Sequence, residues 1–373
     1  MSARKRAQLR NEAASTPDTC AVYAPRLLAW FDSHGRHDLP WTQPRTPYRV
    51  WLSEIMLQQT QVATVIPYFQ RFVAALPDLP ALAAAPADTV LALWSGLGYY
   101  SRARNLHAAA KLCIDHHAGE LPRAFDALHA LPGIGRSTAA AILAQAWGEP
   151  FAILDGNVKR VLARLHGIEG WPGLPAVEKR LWAIAEASLP RTPVTRARMA
   201  DYTQAQMDLG ATLCTRSRPR CGDCPLAEGC VAHREGRTAA LPSPRPKKTI
   251  PQRETRMVWL RDAVGRTLLQ RRPATGVWAS LWSLPEAMDC AEVARIARLH
   301  AEGGDVGLAR ALPPIDHVFT HFRLRIHPQL FDGIAAKPRL GDNDGLRWIT
   351  RGELAALGIP APVRRLIEQE DLP

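Results

Sequence analysis

ALHALPGIGRSTAAAILAQAW, residues 127–147, holds two helical runs folded about a glycine-rich hinge. The first run stops at Pro132-Gly133, the chain turns through Ile134-Gly135, and an alanine-rich helix begins. Proline brings no amide to continue a helix, and glycine reaches backbone angles closed to other residues. Gly133 and Gly135 therefore let the amides at the start of the second helix face an anion such as a phosphate. Taken alone, the same residues equally suit an ordinary αα-hairpin turn. Some twenty residues on, ILDGNVKRVLARL (153–165) sets Asp155 just ahead of a basic helix, where a carboxylate also serves as an N-cap.

Working outward, the helical period extends from Tyr48 to about Gly210. In WLSEIMLQQTQVATVIPYFQRF the apolar residues Leu52, Ile55, Met56, Val62 and Ile66 recur at spacings of three and four. Pro and Gly in SGLGYY, ALPGIGRS and EGWPGLP mark connections between helices. Past residue 237 the composition shifts. TAALPSPRPKKTIP interrupts a basic run with four prolines and reads as an extended, exposed linker. Beyond it the period becomes two. TRMVWLRD and RTLLQRRP read as a hairpin, and HFRLRIHPQLF alternates Phe322, Leu324 and Ile326 with Arg323, Arg325 and His327.

Of seven cysteines, Cys214, Cys221, Cys224 and Cys230 stand together in CTRSRPRCGDCPLAEGC with the spacing C-x6-C-x2-C-x5-C. Four thiolates so placed can hold one metal centre, and tetrahedral sulfur sites serve zinc and iron–sulfur clusters alike. Arg216, Arg218 and Arg220 lie between them, fixed in projection and suited to phosphates. Lys and Arg outnumber Asp and Glu by 47 to 35, a formal charge of +12 that favours a polyanionic partner. No stretch approaches the ~18 apolar residues of a membrane span, and the basic opening MSARKRAQLRNEAAST lacks a secretory core. The opening reads as a disordered tail, and the protein as intracellular, cytoplasmic and nucleoid-associated in a bacterium.

The cysteine spacing resembles the [4Fe-4S] loop of the endonuclease III superfamily of DNA glycosylases, and the hairpin followed by Asp155 resembles its helix-hairpin-helix motif. WLSEIMLQQTQVATVIPYF, LWSGLGYYSRARNLH and LDGNVKRVLARLHGIEGWPG are similar to the adenine DNA glycosylase family of the MutY type, from about Leu28 to His233. RRPATGVWASLWSLPE and HVFTHFRL resemble that family's Nudix-like module. The resemblance implies a mainly α catalytic region over residues 1–237. Its six-helix part covers about 45–150, and its iron–sulfur part joins the N-terminal segment to about 151–237. A linker follows at 238–251, then an α/β lesion-recognition domain at 252–373. It also implies a [4Fe-4S] cofactor on the four cysteines, and a monomer acting on duplex DNA with adenine opposite 8-oxoguanine or guanine.

By matching position, Glu54 is the acid that protonates adenine and Asp155 the carboxylate that stabilises the developing cation, with Asn157 orienting the centre. Ser137 stands where superfamily members that also cut the backbone carry a lysine. A hydroxyl forms no Schiff base, so a monofunctional enzyme is expected. On composition alone Glu54 is equally an exposed helical residue. Gln58, Gln59, Thr60, Leu97, Gly98 and Tyr99 are expected at the lesion, with Gln59 and Tyr99 as wedges, and His37 and Trp41 beside the adenine pocket. Phe319-Thr320-His321 replaces the family's Phe-Ser-His and keeps the hydroxyl, so contact with 8-oxoguanine is expected to survive. After LWSLPEAMDC no R-E-x-x-E-E run follows to hold Mg²⁺, which points the C-terminal domain to recognition and away from hydrolysis.

Overall fold

The computed structural model describes residues 16–246, 249–304, 306–337 and 345–369. The basic opening of the chain, up to residue 15, lies outside the described residues. The chain divides into two compact units, Met1–Val73 with Ala109–Lys247, and Ala74–Ala108 with Lys248–Pro373. Its helices are α1 (Thr16–His34), α2 (Pro47–Leu57), α3 (Val62–Ala75), α4 (Leu79–Ala84), α5 (Ala87–Leu93), α6 (Ser101–His116), α7 (Phe125–His129), α8 (Arg136–Trp147), α9 (Gly156–Leu165), α10 (Pro175–Ala187), α11 (Pro193–Arg196), α12 (Met199–Asp208), α13 (Val231–Arg234), α14 (Cys290–His300) and α15 (Ala361–Gln369).

The first unit is helical. Thr46 caps α2 by accepting the Arg49 amide, and Pro47 takes the first turn, where its missing N–H is no loss. The apolar period read through WLSEIMLQQTQVATVIPYFQRF is broken after Leu57, and Gln59 in the connecting turn has φ 59°. A left-handed residue cannot continue a right-handed helix, so Gln58, Gln59 and Thr60 form a corner. The hairpin turns at Gly133, with φ 80°, and Ile134 is buried beneath it. Helix α8 buries Ala139 to Gln145, and the four alanines among them leave room for α2 and α12 to pack against it.

The core of this unit joins Tyr23, Leu27 and Phe31 of α1 to Val158 and Leu162 of α9, Leu181 of α10, and Tyr202 and Ala205 of α12. Cys214, Cys224 and Cys230 pack against the same cluster. From α12 the chain runs through a π-turn, Leu209–Leu213, in which the Cys214 amide reaches back to the Leu209 carbonyl at 2.8 Å. A Cβ at Gly210 would meet the Asn157 Cβ at 2.5 Å, so only glycine admits the approach of this turn to α9. The segment expected as a wholly exposed linker is anchored at its start. Leu241 is 2% exposed, and the buried Arg164 donates to its carbonyl at 2.8 Å.

The second unit is built on strands β1 (Gln252–Asp262), β2 (Thr267–Arg271), β3 (Trp282–Ser283), β4 (Glu286–Ala287), β5 (Arg310–Ala311), β6 (Ile315–Val318), β7 (Arg323–Ile334) and β8 (Leu346–Ile349). They form one mixed sheet whose main path is β3-β2-β1-β7-β5, with β1 and β7 parallel and β6 antiparallel to β7. The period-two pattern is observed, with Leu324 and Ile326 buried and Arg323 exposed on β7. Helix α14 covers one face through Val293, Ile296 and Ala297, against Val258, Leu260 and Phe331. Residues 74–108 belong to this unit. Arg271 of β2 pairs with Asp88 of α5 at 3.0 Å, and Arg104 of α6 donates to the Ala279 carbonyl at 2.8 Å.

Candidate active site

A cavity of about 680 Å³ opens in the first unit between α2, α8, α9 and α12. Glu54, Gln58, Thr60, Ser137, Asp155, Asn157 and Trp41 all line it. Glu54 opens on it from a helix whose neighbouring residues Trp51, Leu52, Ile55 and Met56 are buried. Loss of water around the carboxyl group dominates and raises its pKa to about 7; the hydrogen bond from Gln145 opposes the rise, and the charge of Asp155 adds to it. Gln145 Nε2 donates to Glu54 Oε1 at 2.7 Å, which fixes the carboxyl in the cavity wall.

Asp155 is both the N-cap of α9 and a residue of the cavity wall. Its Oδ1 accepts the Val158 amide at 2.8 Å, and its Oδ2 accepts from Asn157 Nδ2 at 3.2 Å. Burial raises its pKa, while the hydrogen bonds from Val158 and Asn157 and the charge of Arg160 work against the rise. Asn157 is held in turn by Arg160, whose Nη2 donates to Asn157 Oδ1 at 2.9 Å and to the Gly210 carbonyl at 2.8 Å. Ser137 Oγ accepts the Leu154 amide at 2.9 Å and ties the hairpin to the strand-like run before Asp155.

The cavity also holds residues that sequence reasoning missed. Arg36 donates from Nη2 to Asp208 Oδ1 at 2.6 Å and from its own amide to Oδ2 at 2.7 Å. Gln204 donates from Nε2 to the same Asp208 at 2.7 Å, leaving its Oε1 buried without a hydrogen-bond partner. Because a carboxylate only accepts, the amide orientation of Gln204 is fixed by that bond. Sequence distance hid the group: Arg36 and Asp208 lie 172 residues apart. His37 does not line the cavity; it is exposed, with Nε2 2.9 Å from the Phe31 carbonyl. Gln59 projects from the α2–α3 corner and is exposed.

The four cysteines line a second, small cavity together with Arg164, Leu213 and His233. Among the described residues no group of three His, Cys, Asp or Glu side chains is placed to hold a single metal ion. The four cysteines border one small space. Burial pushes the Cys224 thiol up to about 11 and raises Cys221 and Cys230 as well, so binding as thiolates calls for strong positive charge. Arg164 donates to Cys214 Sγ at 3.3 Å and to the Thr215 and Arg216 carbonyls at 2.7 and 3.0 Å. The all-sulfur donor set and this donor fit an iron–sulfur cluster. Arg216 and Arg218 are exposed and make no ion pair among the described residues, whereas Arg220 lies 3.8 Å from Asp223.

In the second unit, Leu97 is buried, and Tyr99 is 46% exposed with φ 49°. Phe319 to His321 form the turn between β6 and β7, closed by a Phe319 amide to Phe322 carbonyl bond of 2.9 Å. Thr320 is exposed at its tip, away from any core, with Oγ1 3.3 Å from His321 Nδ1. Phe319 is stacked on Phe322 with ring centroids 4.6 Å apart.

Residues 52–187 match the family profile of the HhH-GPD superfamily base excision DNA repair protein, 214–230 that of the iron–sulfur binding domain of endonuclease III, and 256–369 that of the NUDIX domain. The cysteine loop is a [4Fe-4S] site. The chain is 35% identical to an adenine DNA glycosylase of Buchnera aphidicola over 93% of its own length and 97% of the relative's. It is 33% identical to the adenine DNA glycosylase of Mus musculus, covering 92% of this chain and 77% of that one. Among solved structures, a thermostable thymine-DNA glycosylase aligns with 59% of this chain and 99% of its own at 27% identity and a TM-score of 0.53. With the helical hairpin, the paired carboxyl groups and the four-cysteine loop in place, the chain belongs to the adenine DNA glycosylase family, base-excision enzymes that hydrolyse an N-glycosyl bond in DNA.

Proposed function

We propose that this protein removes adenine opposite 8-oxoguanine, or opposite guanine, from duplex DNA and leaves the backbone uncut. The observation that carries the reading is the pair of carboxyl groups in one cavity, Glu54 protonatable near neutral pH and Asp155 supplied with hydrogen-bond donors for its ionised form. Burial raises both pKa values, and we assign Glu54 as the acid and Asp155, for which hydrogen bonds and the charge of Arg160 oppose the rise, as the anion. Glu54 protonates N7 of adenine, which makes the base a competent leaving group. Asp155 stabilises the oxocarbenium ion at the sugar, and Glu54, now ionised, takes a proton from the attacking water. Asn157 fixes the Asp155 carboxylate. The cluster, when bound, supplies no step of this reaction; it anchors the loop that carries Arg216 and Arg218.

Gln204 Oε1 is an unpaired acceptor in the cavity wall, suited to the exocyclic amine of adenine. Losing such a partner leaves a buried donor unpaired, at about 1–3 kcal/mol. Gln204→Leu is therefore expected to slow single-turnover release of adenine by roughly 10- to 100-fold. An unchanged rate in a quenched time course would remove Gln204 from base recognition.

On the DNA side, the amides following Gly133 and Gly135 take a backbone phosphate. Gln58, Gln59, Thr60, Leu97, Gly98 and Tyr99 engage the strands at the lesion, with Gln59 and Tyr99 filling the space the adenine leaves. Trp41 borders the adenine. Residues 252–373 read 8-oxoguanine through Phe319, Thr320 and His321. Removing one cation that neutralises a phosphate should reduce the slope of log binding constant against log salt by about 0.9. Replacing Arg216 and Arg218 together with Ala is thus expected to lower that slope by about 1.8, with Arg220→Ala changing it less because Asp223 already neighbours it. Titrating duplex binding from low to moderate salt measures this directly.

The deciding experiment is single-turnover incubation with a labelled duplex carrying adenine opposite 8-oxoguanine, quenched with and without hot alkali. Strand breakage at the adenine only after alkali supports base removal without lyase action, in keeping with Ser137 in the hairpin. Breakage without alkali overturns the monofunctional reading. No breakage of this duplex, with release of thymine or uracil from other mispairs, overturns the substrate.

A further inference from the structure

Buried side chains hold the SGLGYY turn from below, and Arg102 contributes two of the bonds. Arg102, in the first turn of α6, is 7% exposed, and its Nη2 donates to the carbonyls of Leu97 at 3.3 Å and Gly98 at 3.1 Å. Its guanidinium carbon lies 5.3 Å from the ring centroid of Trp94 and 5.6 Å from that of Tyr99. Trp94, itself fully buried, donates from its indole N–H to the same Gly98 carbonyl at 3.1 Å. These contacts converge on backbone in an uncommon conformation, with φ 98° at Gly96, 76° at Gly98 and 49° at Tyr99. Two of the three are glycines, for which positive φ is open; a tyrosine there is disfavoured and must be held by its surroundings. The ring so held is 46% exposed.

We infer that Arg102 is a positioning residue which clamps the Leu97 and Gly98 carbonyls, keeps Tyr99 in left-handed backbone geometry and so projects its ring as a wedge for the duplex. The inference rests on the reading of Tyr99 as a wedge given above. The clamp is one terminal nitrogen, Nη2, that donates to both carbonyls while the planar guanidinium lies over the Trp94 and Tyr99 rings. A lysine also donates from one nitrogen but has no planar face to lie over the two rings, so it cannot reproduce the whole clamp. Burial lowers the Arg102 pKa to about 10, which leaves the guanidinium charged throughout the neutral range. An uncharged side chain of similar length would leave both carbonyls without this donor.

The test uses the full-length, iron-loaded protein and a duplex with 2-aminopurine in place of the target adenine opposite 8-oxoguanine. Stopped-flow fluorescence reads unstacking of that base before any release. Arg102→Lys, Arg102→Gln and Tyr99→Ala are each expected to cut the fluorescence amplitude at least fivefold, and the Arg102→Lys/Tyr99→Ala double variant to lose no more than Tyr99→Ala. That non-additivity marks two residues acting as one unit, which a loss of stability would not produce. Gly98→Ala guards against poorly folded Arg102 variants. A Cβ there meets nothing within 4 Å, so it disturbs only the backbone at φ 76°, and it should reproduce the loss. Full amplitude in the Arg102 and Gly98 variants with loss in Tyr99→Ala overturns the clamp and leaves the wedge standing. Full amplitude in Tyr99→Ala overturns both.

Discussion

Glu54→Gln is expected to slow single-turnover adenine release by about 10²–10⁴-fold while duplex binding persists, the range for loss of a positioned general acid. The substitution keeps the shape and the partner Gln145, and removes only the transferable proton. The wild-type rate should depend on pH in a definite direction. Glu54 must carry its proton to act, and its pKa is raised from 4.5 to about 7 chiefly by burial, so the rate holds below about pH 7 and falls above it. The same shift acts on stability. The unfolded chain releases this proton near 4.5 while the folded one keeps it to about 7, so stability falls as pH rises through that window. The amide of Glu54→Gln does not ionise, and the variant should therefore be the more stable protein at pH 8, by at most on the order of 3 kcal/mol. Chemical denaturation of the two proteins at pH 5 and pH 8 checks this. A stability difference that does not grow with pH would contradict the burial of Glu54 as a source of its altered acidity.

Asp155→Asn is expected to lose about 10²–10³-fold in single-turnover rate, as when a group facing developing charge is removed. Its melting temperature should fall only slightly: Asn caps a helix as well as Asp, although its amide nitrogen cannot accept from Asn157 Nδ2. Asp155→Ala should lose similar activity and in addition about 1 kcal/mol of stability with the cap. The pair separates the two uses of one side chain. Equal activity in wild type and Asp155→Asn would leave only the cap.

Both carboxyl positions are read from sequence by resemblance, since periodicity and capping rules leave each with an ordinary structural use. In the cavity one Asp155 oxygen meets the Val158 amide and the other meets Asn157, so capping leaves the proposed catalytic use open to the same side chain. The hairpin and cysteine loop were legible because each is short and its spacing is its function. The β7 strand was legible because alternation reports burial directly. The Gln58–Thr60 corner was not, because apolar spacing continues across it and no Pro or Gly marks the break. Nor was the Arg36–Gln204–Asp208 group, which only tertiary folding assembles. The grouping of residues 74–108 with the C-terminal sheet arises from contacts such as Arg271–Asp88 between distant segments. The anchoring of Leu241 went unread for a different reason: a proline-rich composition reports an extended backbone but not whether something accepts it.

In genetic terms, Gly210 is a single-codon liability. Glycine triplets all begin with two guanines, so a G-to-T change at either yields valine, cysteine, tryptophan or a stop. Each of those side chains would claim space already held by Asn157, where the Cβ distance is 2.5 Å. Copying past an adenine left opposite 8-oxoguanine, the pair proposed above as the substrate, fixes thymine in place of guanine, so the enzyme's own gene is exposed to that change at the codon for the turn packed on Asn157.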